Sequence, residues 1–332
     1  MNLPEHPTWQ ITDSSKMDDY DRCPRYYFYR HMLGWHLDVP AHDLVFGQAW
    51  HNAREYQLIN GYEEVEGAFN AFLTYYRQFF TESSDVNFRP KTPEAVYQAL
   101  INFGVTYPSD LDDNELLRNP DTDEPFTEIS GTVPIDDKRV LHFRMDSILQ
   151  RKEDGMIFSW DHKSTSGRWI GNYFNEVAFN LSNQNGTYTH CLYCIFPIQQ
   201  VLGVEFCGTG FEYLSRGSAA RPSGYYSTLK RVPAFRSPDQ MNVWLWNTLD
   251  RVKDIERDID HLTDCSESDS IMAAFRMNPG GCGKYRGCEF FDYCNLWPNP
   301  LRQCQEPPFG FNQKFWDPRE LDSRNKMQLE WK

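Results

Sequence analysis

The sequence predicts an α/β chain with a helical insertion, and three observations predict it. Apolar residues recur at helical spacing up to about residue 103 and again over 238–262. Runs rich in β-branched and aromatic residues cluster between 126 and 232. The tripeptide Glu153-Asp154-Gly155 separates two of those runs as a hairpin turn would. Hydrophobic residues make up 40% and aromatics 15% of the 332 residues, enough for one large core plus a helical lobe.

The elements follow in order. Asp13 or Ser14 can cap a helix through Lys16 to Arg30, with Met17, Tyr20 and Tyr27 at helical spacing, and Pro24 should kink or split it. Gly47 to Ile59, Glu63 to Phe80 and about Pro93 to Phe103 read as helices and form the insertion. Pro108 to Pro125, rich in Asp, Asn and Pro, reads as a solvated loop and a boundary. Phe126 to Val133, Arg139 to Leu149 and Met156 to Asp161 read as an antiparallel meander. Leu181 to Phe196 turns helical, and Val201 to Leu214 and Gly224 to Val232 return the chain to the sheet. Met241, Trp244, Leu245, Thr248, Val252, Ile255 and Ile259 then mark a long amphipathic helix over Pro238 to Leu262. The expected segments are an N-terminal helix (1–46), a helical segment (47–125), the core (126–262), a cysteine-rich loop (263–298) and a proline-rich tail (299–332).

Composition narrows the function. No run of about 18 apolar residues exists and the start is polar, so a soluble, cytoplasmic protein with no membrane role is expected. A net charge of −14 argues against a broad basic surface that coats nucleic acid. It is compatible with a carboxylate-built site fed by a narrow basic or aromatic channel. Nine cysteines are an odd number in a chain that needs no disulfides, which favours a metal role for some of them.

Asp161-His162-Lys163 ends an apolar strand just before Ser164-Thr165-Ser166-Gly167, so its side chains should emerge where the sheet opens into a loop. Residues two apart share a strand face. Asp161 and Lys163 should therefore enter one cleft while Trp160 and His162 point away, leaving the His162 carbonyl free to face a metal. One strand earlier, Asp146 shares a face with His142 and Arg144. If the hairpin pairs, Asp146 and Asp161 approach closely, and two such carboxylates repel unless a divalent ion, Mg²⁺ or Mn²⁺, sits between them. Phosphodiester hydrolysis needs these groups: Asp146 and Asp161 to hold the metal, and Lys163 to orient or deprotonate the attacking water. His51 supplies a nitrogen ligand that favours Mn²⁺. Taken singly, an Asp-x-Lys or a Gly-x-x-x-His is common and usually structural; the order of the motifs is what gives them weight.

Cys282, Cys288 and Cys294 place three thiols in thirteen residues with glycines at the turns, and Cys23 is the candidate fourth ligand, with Cys304 in reserve. A four-thiolate site holds zinc or an iron–sulfur cluster. The five-residue gap is wider than a zinc knuckle, which tilts toward a cluster. Cys191, Cys194, Cys207 and Cys265 read as packed thiols. Tyr26, Tyr27, Phe28 and Tyr29 beside Arg22, Arg25 and Arg30, and Tyr285 beside Lys284 and Arg286, are candidates for stacking bases and contacting phosphates, although such aromatics are more often core.

The motif order resembles the RecB-like branch of the PD-(D/E)xK nuclease superfamily over roughly residues 11 to 297. That family places a Gly-x-x-x-His helix, a Gly-Arg-x-Asp-like strand, an Asp-x-Lys strand and a Gln-x-x-x-Tyr helix around its active site. Gly47 and His51, Asp146, Asp161 and Lys163, and Gln184 and Tyr188 stand at the matching positions, with Phe143 where a glycine is commoner. Gln184 and Tyr188, one turn apart, can meet the same DNA backbone or the base of the cleft. Glu55, one turn after His51, is assigned to supporting that helix, and Glu128 is a further candidate carboxylate near the metals. The resemblance implies a restriction-endonuclease-like core, a mixed central sheet flanked by helices.

AddB-type nuclease domains, exonuclease V and CRISPR-associated exonucleases have one early and three late cysteines binding [4Fe-4S]. The resemblance thus implies that Cys23, Cys282, Cys288 and Cys294 hold such a cluster joining the N- and C-terminal segments, with phage-borne relatives closest; the late spacing departs from theirs at its first step. It implies a metal-dependent deoxyribonuclease, more specifically an exonuclease acting on single-stranded or duplex DNA ends in replication, recombination or repair, in a bacterial or phage-infected cell. No Gly-x-x-x-x-Gly-Lys-Ser/Thr motif is present, so a helicase, recombinase or single-strand-binding protein would be a separate partner. The alternatives are a non-cleaving DNA-binding or scaffold module with the same fold and cluster, and a zinc-stapled nuclease.

Overall fold

The computed structural model describes every residue except 1, 2, 4, 121, 284–286, 321, 322 and 332. Asp13 accepts the Lys16 backbone N–H at 2.7 Å and starts α1 (Ser14–Arg22), satisfying one of the donors that a helix start leaves unpaired. Extended Cys23 ends α1, and Pro24 opens α2 (Pro24–Tyr27), where its missing N–H costs no hydrogen bond. A π-helical turn, Phe28–Met32, leads to β1 (Trp35–Leu37). The insertion is α3 (His42–Asn60), α4 (Val65–Tyr76) and α5 (Pro93–Thr106). Its helices close on Phe46, Trp50, Phe72, Tyr76, Val96 and Leu100. The segment boundary expected at 46/47 falls inside α3.

The central sheet is built from β2 (Asn114–Leu116), β3 (Thr127–Pro134), β4 (Val140–Arg151) and β5 (Ile157–Ser166). Next come α6 (Gly167–Asn172), α7 (Glu176–Phe179), α8 (Asn183–Ile195), β6 (Val201–Leu214), β7 (Gly224–Phe235) and α9 (Pro238–Asp264). The last elements are α10 (Phe291–Leu296), β8 (Phe311–Gln313) and β9 (Asn325–Gln328). Strand order is β7-β6-β5-β4-β3-β9, with β2 also on β4. The β5/β6 and β3/β9 pairs are parallel and the others antiparallel, so the sheet is mixed. One face buries Met145, Phe206, Tyr188, Leu192 and Trp244 under α8 and α9. The other buries Leu149, Phe158 and Trp160 with Tyr62 and Phe103 of the helical insertion. The chain is therefore α/β with a mixed sheet flanked by helices. No helix among the described residues is long and apolar enough to cross a membrane.

Three expectations change and one open alternative is decided. Strand β5 runs on to Ser166, paired with β6, so Asp161-His162-Lys163 lies within a strand rather than at its end. The loop expected over 108–125 contains β2, and Asp112 within it is buried against Arg231 at 2.9 Å. The proline-rich tail supplies β8 to β1 and β9 to β3. Finally, Tyr26, Tyr27, Phe28 and Tyr29 are all buried, in a cluster with Phe275 and Phe290, so they are core and no stacking platform. Arg25 likewise turns inward to the Phe275 carbonyl at 2.9 Å. Lys284, Tyr285 and Arg286 lie outside the described residues.

Gly131 shows how closely the tail is applied. A Cβ there would stand 1.6 Å from the Met327 carbonyl oxygen of β9. Gly131→Val is expected to cost roughly 1–3 kcal/mol, the range for overpacking, and to expose the tail to limited proteolysis. Urea melts and a proteolytic time course would check both.

Candidate functional site

Strands β4 and β5 pair from Gln150↔Ile157 to Ser147↔Trp160 and then part. Beyond that point the His162 N–H donates to the side chain of Asp146, at 2.8 Å from Oδ2, in place of a main-chain carbonyl. The N–H and C=O of a strand residue leave on the same side, so the His162 carbonyl is directed into this gap too. From α3, His51 brings Nδ1 to 3.0 Å from Asp146 Oδ2. Burial alone would raise the Asp146 carboxyl, but the His51 imidazole and His162 outweigh it and hold it below the usual carboxylate range. Burial works the other way on His51, and Asp146 more than offsets it, so that imidazole is raised.

Asp161 and Lys163 project together from β5, with Lys163 Nζ 2.6 Å from Asp161 Oδ2. Gln184 of α8 locks the pair: its amide oxygen accepts from Lys163 Nζ at 2.8 Å, and its amide N–H₂ donates to Asp161 Oδ1 at 2.7 Å and reaches Tyr188 Oη at 3.0 Å. Tyr188 in turn donates to the Arg144 carbonyl of β4. Asp161 is buried, which raises its carboxyl; Lys163 opposes that rise and Asp146 adds to it. The Tyr188 phenol is held well above its ordinary value by burial, so it stays a donor. These residues line one cavity of about 180 Å³ with Ser14, Ser15, Gln48 and Trp316.

Glu128 carries more weight than its sequence suggested. The β3/β4 register passes from Thr127↔Ser147 to Ile129↔Met145, leaving Glu128 unpaired opposite Asp146 with φ 46°. That left-handed conformation is uncommon for a residue with a side chain. One ligand atom each from His51, Glu128 and Asp146 lie within 4.8 Å of one another. Burial and then Asp146 raise the Glu128 carboxyl, against Arg144, whose Nε donates to it at 2.8 Å. Arg144 and Gln48 line both the small cavity and a broad groove of about 1040 Å³ that opens beside Glu128.

The structure thus brings together His51, Asp146, Asp161, Lys163, Gln184, Tyr188 and the His162 backbone. The His162 ring does turn to the opposite face, beside Trp160, where burial and then Arg54 hold it well below its ordinary value. Glu55 sits apart from the carboxylates and ties α3 to β3 through Thr127 at 2.8 Å and to the tail through Arg324 at 3.2 Å. Sequence reasoning missed Ser14, Ser15, Gln48 and Trp316. Trp316 reaches the site because its indole N–H donates to Asp13 at 2.7 Å, a contact no local pattern announces.

Cys23, Cys282, Cys288 and Cys294 line a second cavity, of about 260 Å³. All four are free thiols, and no three bring their sulfurs within 4.8 Å of one another. The Asn278 N–H donates to Cys23 Sγ at 3.2 Å. A Cβ on Gly281 would stand 2.5 Å from the Arg22 carbonyl, so only glycine lets the late loop approach α1 this closely. Cys304 points elsewhere, toward the Leu301 carbonyl, and lies outside that cavity. No protein-family model matches the chain, and no curated protein matches it.

Proposed function

We propose that the chain is a divalent-metal-dependent DNA nuclease on a restriction-endonuclease-like core, of the RecB and AddB kind that its motifs resemble, with a [4Fe-4S] cluster joining its first and last segments. The observation that carries this reading is the convergence of Asp146, Asp161, Lys163 and His51 on one cavity. The donor set fits a hard divalent cation: His51, Asp146 and Glu128 each bring one ligand atom within 4.8 Å of the others, Asp161 lines the same cavity as His51 and Asp146, and the imidazole nitrogen favours Mn²⁺ over Mg²⁺. Such a cation, when bound, supplies an activated water and neutralises charge on the phosphodiester.

The side chains account for the remaining tasks. Lys163, fixed by Asp161 and Gln184, points an ammonium at the cavity and orients the attacking water. Gln184 uses both ends of its amide, so Asp161 and Lys163 hold one mutual geometry. Tyr188 is a positioning residue, tying α8 to the strand that carries Asp146.

The thiol cavity gathers the four cysteines that a cluster takes. The five-residue gap between Cys282 and Cys288 is wider than a zinc knuckle and favours a cluster, as the resemblance does. The exonuclease role on DNA ends in replication, recombination or repair follows the resemblance. It leaves unwinding, recombinase loading or strand protection to partner proteins.

Anaerobically purified protein, given end-labelled single- and double-stranded DNA, is expected to cleave with Mn²⁺ and to be silent with EDTA. Absence of cleavage on both, and on RNA, would sink the proposal.

A further inference from the structure

Immediately after β5 the chain enters α6 and α7, and this segment leaves Trp169, Tyr173, Val177 and Leu181 exposed. Trp169 is 36% and Tyr173 58% exposed, with ring centroids 6.5 Å apart, and exposed Arg168 precedes Trp169 in the chain. Large aromatics left open on the segment that follows the Asp161 and Lys163 strand call for an occupant.

The segment is rigidly mounted. Trp169 rests on Phe174 at 5.6 Å and Phe179 at 6.5 Å, and Phe179 stacks on Phe206 at 4.2 Å. Lys163 Nζ lies 5.7 Å from that same Phe206 ring. Beneath, Gly208 and Gly210 of β6 admit the segment: a Cβ at either would stand 2.6 Å from Phe174 or 2.5 Å from Ile170. Side chains therefore run without a break from the candidate reactive lysine to the exposed indole.

We infer that Trp169 and Tyr173, with Arg168, form a stacking platform for unpaired bases of a single-stranded nucleic acid next to the cleavage site. This rests on the nuclease reading above. The occupant follows from three features. The platform follows directly on the strand that carries Asp161 and Lys163 and is linked to Lys163 through the Phe206 and Phe179 rings. Aromatic faces with an arginine are what single strands use, at roughly 1–3 kcal/mol per stacked base. In a chain of charge −14, stacking holds a polyanion through its uncharged faces. Duplex bases offer no free face to these rings.

Binding would be measured by anisotropy of fluorescein-labelled oligothymidylate and of a blunt duplex, with Ca²⁺ in place of Mn²⁺, while cleavage by the wild type is followed with Mn²⁺. Trp169→Ala and Tyr173→Ala are each expected to weaken oligothymidylate binding roughly tenfold with little change for duplex; Trp169→Tyr should retain most of the affinity, separating loss of stacking from loss of fold. If the wild type cleaves DNA and the alanine variants bind oligothymidylate as tightly as it does, the platform is wrong and the exposed segment is a protein-docking face. Equal losses for duplex and single strand would also overturn it. If the wild type neither binds nor cleaves any nucleic acid, the nuclease reading falls first.

Discussion

Asp161→Asn protein is expected to fold, to keep binding DNA, and to cleave it slower by on the order of a thousandfold or more, since metal-centred charge stabilisation is worth several kcal/mol at tenfold per 1.36 kcal/mol. The substitution keeps the shape and the oxygen that accepts from Gln184, but puts an amide N–H₂ in place of the oxygen that faces Lys163, removing the charge and that ion pair. Asp161 is 1% exposed and burial raises its carboxyl, a desolvation cost the neutral amide avoids and that offsets the lost pair, so stability should change far less than activity. Activity and stability therefore part company, which a merely structural carboxylate would not show. Single-turnover cleavage beside a thermal melt reads both. Wild-type rates in the variant would remove Asp161 from the site and with it the metal assignment.

Cys23→Ser and Cys294→Ser are each expected to abolish bound iron and its visible colour, and to loosen the packing of α1 and α2 against the late loop. Linking such distant segments restricts the unfolded chain by up to roughly 5 kcal/mol in the chain-entropy model. Losing it should lower the unfolding midpoint and open residues around Gly281 to hydrogen exchange first. Cys304→Ser serves as the comparison and should keep its iron, because that thiol lies outside the cavity. Metal analysis of anaerobic wild-type protein decides the chemistry: zinc without iron would replace the cluster, and neither metal would leave a thiol cavity with no staple.

How much of this was legible in the sequence depended on range. Asp161 with Lys163 and Gln184 with Tyr188 were readable because strand and helix periodicity alone put each pair on one face. Asp146 opposite Asp161 followed from one hairpin turn. Glu128 was only a minor candidate because its direction is set by an unpaired position with positive φ, and alternation predicts nothing there. β1, β8 and β9 were illegible for another reason. They are three or four residues long, too short for a pattern, and exist only through distant partners. Tyr26 to Tyr29 left two readings open because an aromatic run interleaved with arginines looks the same whether it faces solvent or Phe275 and Phe290, and the commoner reading, core, is the one found.

The tail's two small strands have a temporal corollary. During synthesis, Asp13 and β1 emerge long before Trp316 and β8 exist to meet them, and β3 waits in the same way for β9. Domains tend to mature from the N-terminus as they are made, but here one wall of the reactive chamber is missing until residues beyond 310 have left the ribosome. A site assembled in that order is born incomplete and gains its full enclosure as one of the last acts of folding.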